Sequence, residues 1–332
     1  MHPFHYTRAT DPETVPGELA AQPHTKILGG GTNLLDLMKM GVERPQTLVD
    51  ITRLPLAKIE ELPAGGVRIG ALARNSDVAE HPLVARDYPV LSQALLAGAS
   101  PQLRNGATTG GNLLQRTRCY YFYDPAFPAC NKRVPGSGCG ALEGYNRVCG
   151  VLGTSEKCIA THPSDMCVAM AALDAVVQVR GPKGERSIAF KDFHRLPGDH
   201  PEHDTTLEPD ELIYAVDLPD AAWAKNSFYL KVRDRASYAF ALVSVAAALE
   251  VADGKIKTAR VALGGVAHKP WRSEAAEETL VGAPADEKTF KAAAEAAMKH
   301  AKGYQFNAFK IELAKRSIVR ALGTVSGGLQ AA

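Results

Sequence analysis

The sequence predicts an α+β fold divided into two or three domains. Three observations carry that reading. A chain of 332 residues exceeds the roughly 100–200 residues of one domain. From Ser227 onward strand-like runs come first and helical runs follow, the order of α+β rather than α/β architecture. Before that point, glycine-rich turns join short apolar runs to helix starts. Composition agrees, with 45% apolar and 22% charged residues, as in an ordinary soluble globular protein. That excludes disorder as the main state. Lys plus Arg total 38 against 36 Asp plus Glu, and a net charge of +2 leaves no electrostatic footprint for nucleic acid or an anionic membrane.

Taken in order, Ile27 and Leu28 end a first strand, and Gly29-Gly30-Gly31-Thr32-Asn33 turns into a helix faced by Leu34, Leu35, Leu37 and Met38. Such a turn lets backbone approach a phosphate and offers free N–H groups to anions. It is neither G-x-G-x-x-G nor a Walker loop, so an unliganded tight turn is the competing reading. Thr108-Thr109-Gly110-Gly111-Asn112 is a second turn of the same kind. Gly66–Ala71, Ala172–Arg180 and Glu211–Leu218 read as strands, with Gly181–Gly184 a hairpin turn and helices starting at Asn75 and Met166. Asp165 reads as the cap of the latter helix, and His162 as a loop or surface histidine. Past a boundary near 226, Phe228–Val232, Ala239–Val251 and Lys255–Leu263 read as three antiparallel strands, joined at Asp253-Gly254. Helices follow at about 273–281, 286–302 and 306–323.

All six cysteines lie between Cys119 and Cys167. The segment from Cys119 to Cys158 is rich in Gly and Pro and has no sustained period, and a loop of that length is usually functional. Disulfides, zinc and an iron–sulfur cluster compete as causes. The usual C-x2-C knuckles of zinc are absent. Four thiolates meeting in an irregular loop suit an iron–sulfur cluster. Arg116, Arg118, Lys132, Arg133, Arg147 and Lys157 flank the loop with positive charge that favours thiolates. No Ser–His–Asp, paired-carboxylate or HExxH pattern supports a hydrolase. No stretch approaches the ~20 apolar residues of a membrane span. The N-terminal segment lacks an apolar signal region, so export is expected only as the passenger of a signal-bearing partner, and a cytoplasmic location otherwise.

Lys26–Leu34 (KILGGGTNL), Thr108–Asn112 (TTGGN), Thr161–Asp165 and Lys231 in LKVRDRAS resemble the FAD-binding subunit of the molybdenum hydroxylases, the xanthine dehydrogenase and aldehyde oxidoreductase family, over about residues 2–325. RTRCYYFYD, CNKR, PGSGC, ALEG and CIATHPSD resemble more narrowly the flavin subunits of bacterial periplasmic aldehyde oxidoreductases, in which this loop carries a [4Fe–4S] cluster.

The resemblance implies two FAD-binding lobes of the vanillyl-alcohol-oxidase (PCMH) type, residues 1–60 and 61–226, the second holding the cysteine loop at 116–165. Residues 227–332 would form a C-terminal domain of a three-stranded sheet and a helix bundle. Lys26, Ile27, Leu28, Gly29, Gly30, Gly31, Thr32, Asn33 and Leu34 would wrap the FAD pyrophosphate, and Thr108, Gly110, Gly111 and Asn112 would hold it from the other side. Asp165 would contact the sugar or phosphate region, Ile213 would pack near the flavin, and Lys231 would lie near its ring. Cys119, Cys130, Cys139 and Cys158 match the cluster ligands, while Cys149 and Cys167 fall outside that set. The implied activity is electron transfer within a heterotrimer. A large subunit with the molybdenum cofactor would oxidise the aldehyde, and [2Fe–2S] clusters of a small subunit would feed the FAD. This chain would not oxidise aldehydes alone and carries no catalytic residue of that reaction. A self-contained flavin oxidoreductase and a non-enzymatic scaffold stapled by zinc are the other readings.

Overall fold

The computed structural model describes residues 1–327, arranged as three sheets with helices against them. The expected end of the third domain at 332 lies outside the described residues. The first sheet is parallel, in the order β1 (His5–Arg8), β3 (Thr47–Asp50), β2 (Thr25–Leu28), with α1 (Val15–Ala21) and α2 (Leu34–Lys39) as its crossovers. Central β3 is buried at every residue, whereas edge strand β1 is exposed at every residue. Neither therefore shows the alternation that marks a half-buried strand.

The second sheet is antiparallel. Its order is β4 (Ile59–Glu61), β5 (Val67–Gly70), β8 (Leu212–Leu218), β6 (Val176–Gly181), β7 (Gly184–Ala189). Between β5 and β6 run α3 (Asn75–Glu80), α4 (Pro82–Asp87), α5 (Pro89–Ala97), α6 (Pro101–Gly106), α7 (Thr109–Leu113), the single turn α8 (Tyr120–Tyr123), the cysteine loop and α9 (Asp165–Ala172). α10 (Phe190–Phe193) follows β7. Three of these helices open on proline, whose fixed φ and missing N–H suit a first helical position. In α9 (DMCVAMAA) every residue is buried, as expected for a helix with no polar face. It packs against α5 on one side and the third sheet on the other.

The third sheet has four strands rather than the expected three, in the order β12 (Trp271–Arg272), β11 (Lys255–Gly264), β10 (Val243–Ala252), β9 (Ser227–Val232). Two-residue β12 is too short to carry a pattern. β10 pairs only from Val243, not Ala239, because the chain turns at Tyr238 with φ 51°. Asp253 and Gly254 have φ of 54° and 73°, the left-handed pair that a tight hairpin needs. One face of the sheet packs on α9. The other packs on α11 (Glu274–Leu280), α12 (Glu287–Met298) and α13 (Phe309–Val325). Burial on both faces explains the run of buried residues from Val243 to Leu249, apolar at all but Ser244.

Candidate functional site

The two glycine turns touch. A Cβ placed on Gly29 would lie 3.0 Å from Thr108 Oγ1, and Gly31 has φ 72°, which an L side chain rarely adopts. Thr108 Oγ1 in turn accepts from the Gly111 N–H at 3.3 Å and caps α7. The turns thus form adjoining walls of one cleft. Two depressions of about 670 and 390 Å³ meet there and share Gly30, Gly31, Thr32, Asn33 and Gln115. The first also reaches Asn112, Asp165 and Lys231. The second reaches Lys26, Ile27, Gly29, Leu34, Thr108 and Gly111. Leu28, Gly110 and Ile213 line neither. Leu28 pairs with Asp50 inside the first sheet, the Gly110 N–H bonds Ala71 O, and Ile213 is buried in the core on β8. A roomier groove of about 720 Å³ between α12 and α13 holds none of the expected site residues.

Three buried polar atoms on the first depression have no partner among the described residues: Asn33 Nδ2, Asn75 Oδ1 and Arg118 Nε. Unpaired buried polar groups are costly. Their place on the wall of the depression suits an occupant rich in hydrogen-bonding groups, such as the expected FAD.

Ser164, not Asp165, caps α9, since Ser164 Oγ accepts from the Cys167 N–H at 3.1 Å. That frees the Asp165 carboxylate, which accepts from Tyr229 Oη at 2.6 Å and Lys231 Nζ at 2.7 Å. Both members of the ion pair are nearly buried, with side chains 9% and 5% exposed. Lys231→Met would leave Asp165 charged and unpaired. It is expected to lower unfolding stability by about 3–5 kcal/mol, read from urea unfolding beside the wild type.

Beyond the cleft lies the cysteine loop. Arg116 donates to Glu43 at 2.7 Å and to Asp204 at 2.8 Å, and its N–H bonds Asn33 Oδ1 at 3.1 Å. Buried Lys132 pairs with the same Asp204 and donates to Pro201 O at 2.7 Å. This chain of charges joins the glycine turn to the loop. Arg118 pairs with Asp36 and lies 5.2 Å from the ring of Tyr123 and 4.9 Å from that of Phe240. Cys119, Cys130, Cys139 and Cys158 line one narrow pocket together with Lys132. Cys149 stands behind Cys119 and donates its thiol hydrogen to it, which holds the Cys119 thiol down at about 7 and pushes Cys149 up. Cys167 is remote from this pocket, in the core on α9, where burial pushes it up to about 12.

His162 is buried rather than on the surface, because its ring packs 4.4 Å from that of His194. One ligand atom each from His162, His194 and Cys167 lie within 4.8 Å of one another. Partners fix the tautomers. His194 Nε2 donates to Leu113 O at 2.9 Å, and His162 Nδ1 accepts from the Ser164 N–H at 3.3 Å. The nitrogens left over are therefore a donor, His162 Nε2, and an acceptor, His194 Nδ1. The rings complement each other, which gives no reason for a metal. Burial also pulls His194 and His268 down to about 4. In the unfolded chain both titrate near 6.5, so the unfolded state binds extra protons as pH falls below that value. Stability is expected to be unaffected by these two above pH 6.5. It should fall by about 3 kcal/mol per histidine as pH drops to about 4. Urea midpoints across pH 4–8 check this, and replacing His194 by Gln should flatten the slope.

The fold and this cleft have known counterparts. Residues 2–221 match the family described as FAD binding domain in molybdopterin dehydrogenase, and residues 228–325 match the CO dehydrogenase flavoprotein C-terminal domain. The chain is 56% identical over 324 residues to the aldehyde oxidoreductase FAD-binding subunit PaoB of Escherichia coli, covering 97% of this chain and 98% of that one. It is 27% identical to the glyceraldehyde dehydrogenase medium chain of Sulfolobus acidocaldarius, over 85% and 83% of the two. Among solved structures, carbon monoxide dehydrogenase from Hydrogenophaga pseudoflava superimposes with a TM-score of 0.77 at 25% identity, covering 99% of each chain. Two family matches that together span nearly all of the described chain, and a full-length relative at this identity, make it a member of the FAD-binding subunit family of the molybdenum hydroxylases.

Proposed function

We propose that this chain is the FAD-bearing electron-transfer subunit of a molybdenum-dependent aldehyde oxidoreductase. The single observation that carries the reading is the cleft itself. Its glycine walls and three orphaned polar atoms suit a dinucleotide, in a chain 56% identical throughout to an aldehyde oxidoreductase flavin subunit. Bound FAD would supply the redox chemistry, taking electrons from partner centres and releasing them to an external acceptor. The chain's own residues do the positioning. In the Lys26–Leu34 segment the Gly30 to Asn33 turn offers backbone N–H groups to the pyrophosphate, whereas those of Thr109 to Asn112 are taken by Ala73 O, Ala71 O and Thr108, so the second turn contributes a close-fitting wall. Asn33 Nδ2 donates to an occupant of the cleft. Lys231 and Tyr229 hold the Asp165 carboxylate fixed, so that it presents acceptor oxygens in one place. Ile213 supports the flavin end from the core, and residues 1–60, 61–226 and 227–332 act as two cofactor lobes and a C-terminal domain.

A [4Fe–4S] cluster on Cys119, Cys130, Cys139 and Cys158 is part of the proposal. What supports it is the donor set: four cysteines on one pocket and a buried cation beside them, with Cys149 behind Cys119 outside the pocket lining and Cys167 in the core on α9. The family descriptions name a flavin and no such cluster. A molybdenum-containing large subunit and a [2Fe–2S] small subunit complete the proposed complex, exported by a signal-bearing partner. Among the described residues no helix is long and apolar enough to cross a membrane. A self-contained oxidase is not favoured, because the two carboxylates on the first depression are engaged, Asp36 by Arg118 and Asp165 by Lys231. A zinc scaffold without flavin is not favoured by the family.

Absorption spectra of the anaerobically purified chain, before and after dithionite, test both cofactors. Flavin bands over a broad iron–sulfur shoulder, both bleaching, are expected. Flavin without the shoulder removes the cluster and keeps the FAD. A folded, colourless protein removes the function.

A further inference from the structure

Three lysine ammoniums are buried among the described residues, those of Lys132, Lys231 and Lys310. Two have carboxylate partners, Asp204 for Lys132 and Asp165 for Lys231. Lys310 has none. Its Nζ donates to Cys149 O at 2.9 Å, to Val148 O at 3.5 Å and to Gly265 O. Carbonyls satisfy its hydrogens but do not cancel its charge, and a buried charge without a counter-charge is strongly unfavourable. The nearest other charge, on Arg147, has the same sign and adds to the deficit. Burial lowers the Lys310 ammonium only to about 8, so it stays charged at neutral pH.

The Asp234 carboxylate is taken by Arg147 at 2.7 Å, and the group that shares the Lys310 contact residue Cys149 is the cysteine group. The Cys149 backbone takes the Lys310 hydrogen bond, and the Cys149 side chain packs in one buried cluster with Cys119, Cys130 and Cys158, which line the four-cysteine pocket. We propose that Lys310 is the internal counter-charge of this pocket, a positioning residue whose ammonium offsets the anionic iron–sulfur centre and raises its reduction potential. This rests on the [4Fe–4S] reading above. Reduction adds one negative charge to the centre, and a fixed cation nearby favours the reduced form. A staple that merely closes the end of the loop predicts no such effect.

The test is a redox titration of the full chain, followed by the cluster's EPR signal, for wild type, Lys310→Gln and Asn307→Leu. Lys310→Gln keeps a donor for the carbonyls and removes the charge. Asn307→Leu removes the amide bonds to Cys149 O and Gly150 O and leaves the charge. We expect Lys310→Gln to lower the reduced-to-oxidised ratio about tenfold at fixed potential, a shift of ~59 mV for one electron. Asn307→Leu should leave the potential in place. An unshifted Lys310→Gln that carries full iron overturns the proposal while the cluster reading stands. An equal shift in Asn307→Leu overturns it in favour of the staple. Wild type without iron defeats the cluster reading itself. If Lys310→Gln takes up no iron, Lys310→Arg decides: iron kept by arginine alone supports the counter-charge, and iron lost in both overturns it.

Discussion

Gly30→Ala is expected to yield a protein that binds no flavin. A Cβ on Gly30 would lie 1.8 Å from Gly106 O, 2.8 Å from Gly106 C and 3.2 Å from Ala107 Cα. All three are backbone atoms, so no side chain can swing aside. The turn after β2 must therefore part from the end of α6, and those two segments line the same cleft. Overpacking ordinarily costs about 1–3 kcal/mol, and a rigid backbone collision belongs at or above the top of that range. The sequence suggests that glycine is needed here to let a phosphate approach. The structure supplies a nearer reason, that the glycine lets two walls of the cleft meet. Flavin per chain, from visible absorbance against protein absorbance, measures the outcome. Gly17→Ala is the control, since nothing lies within 4 Å of its Cβ and it sits within α1. Full flavin content in Gly30→Ala would sink the assignment.

Cys139→Ser is expected to abolish iron binding, taking bound iron from about four atoms per chain to none. A serine oxygen is a poor replacement for a thiolate on iron, and Cys139 is one of four cysteines on the pocket. Cys167→Ser should keep its iron, because that thiol packs in the core and bonds Asn112 O at 3.9 Å. Cys149→Ser should keep it too, with an altered spectrum, since the hydrogen bond to Cys119 changes. Iron and sulfide assays on the three variants separate these cases. Iron lost from Cys167→Ser, or none lost from Cys139→Ser, would redraw the ligand set.

What the sequence could show follows from how local each feature is. The Gly29–Gly31 turn, the Asp253-Gly254 hairpin and the cysteine cluster are contiguous and compositionally sharp, and they appear in place. The parallel sheet of β1, β2 and β3 was legible only at β2. Its other strands are four residues each and uniformly exposed or buried, so their pairing is a tertiary fact. Ser164 and Asp165 are both good caps, and adjacent candidates cannot be ranked from residue type. His162 looked like a loop histidine because its partners, His194 and Cys167, come from elsewhere in the chain. Lys310 opens an amphipathic helix in sequence, and only packing turns it inward.

The end of the cysteine loop is sewn into the C-terminal helices. Phe306 N bonds Asn146 Oδ1, Asn307 reaches Cys149 O and Gly150 O, and Lys302 N reaches Val151 O. Val151 and Leu152 belong to the same apolar cluster as β10, β11, α12 and α13. These partners lie some 151–160 residues apart in the chain. Contacts of such separation form late in folding, after the loop between them has been closed at an entropic cost. The end of the cysteine loop therefore completes its hydrogen bonds only when residues 302–310 are present. The same seam crosses the boundary near 226, so the loop of the second lobe and the C-terminal helices share one set of hydrogen bonds and one apolar cluster.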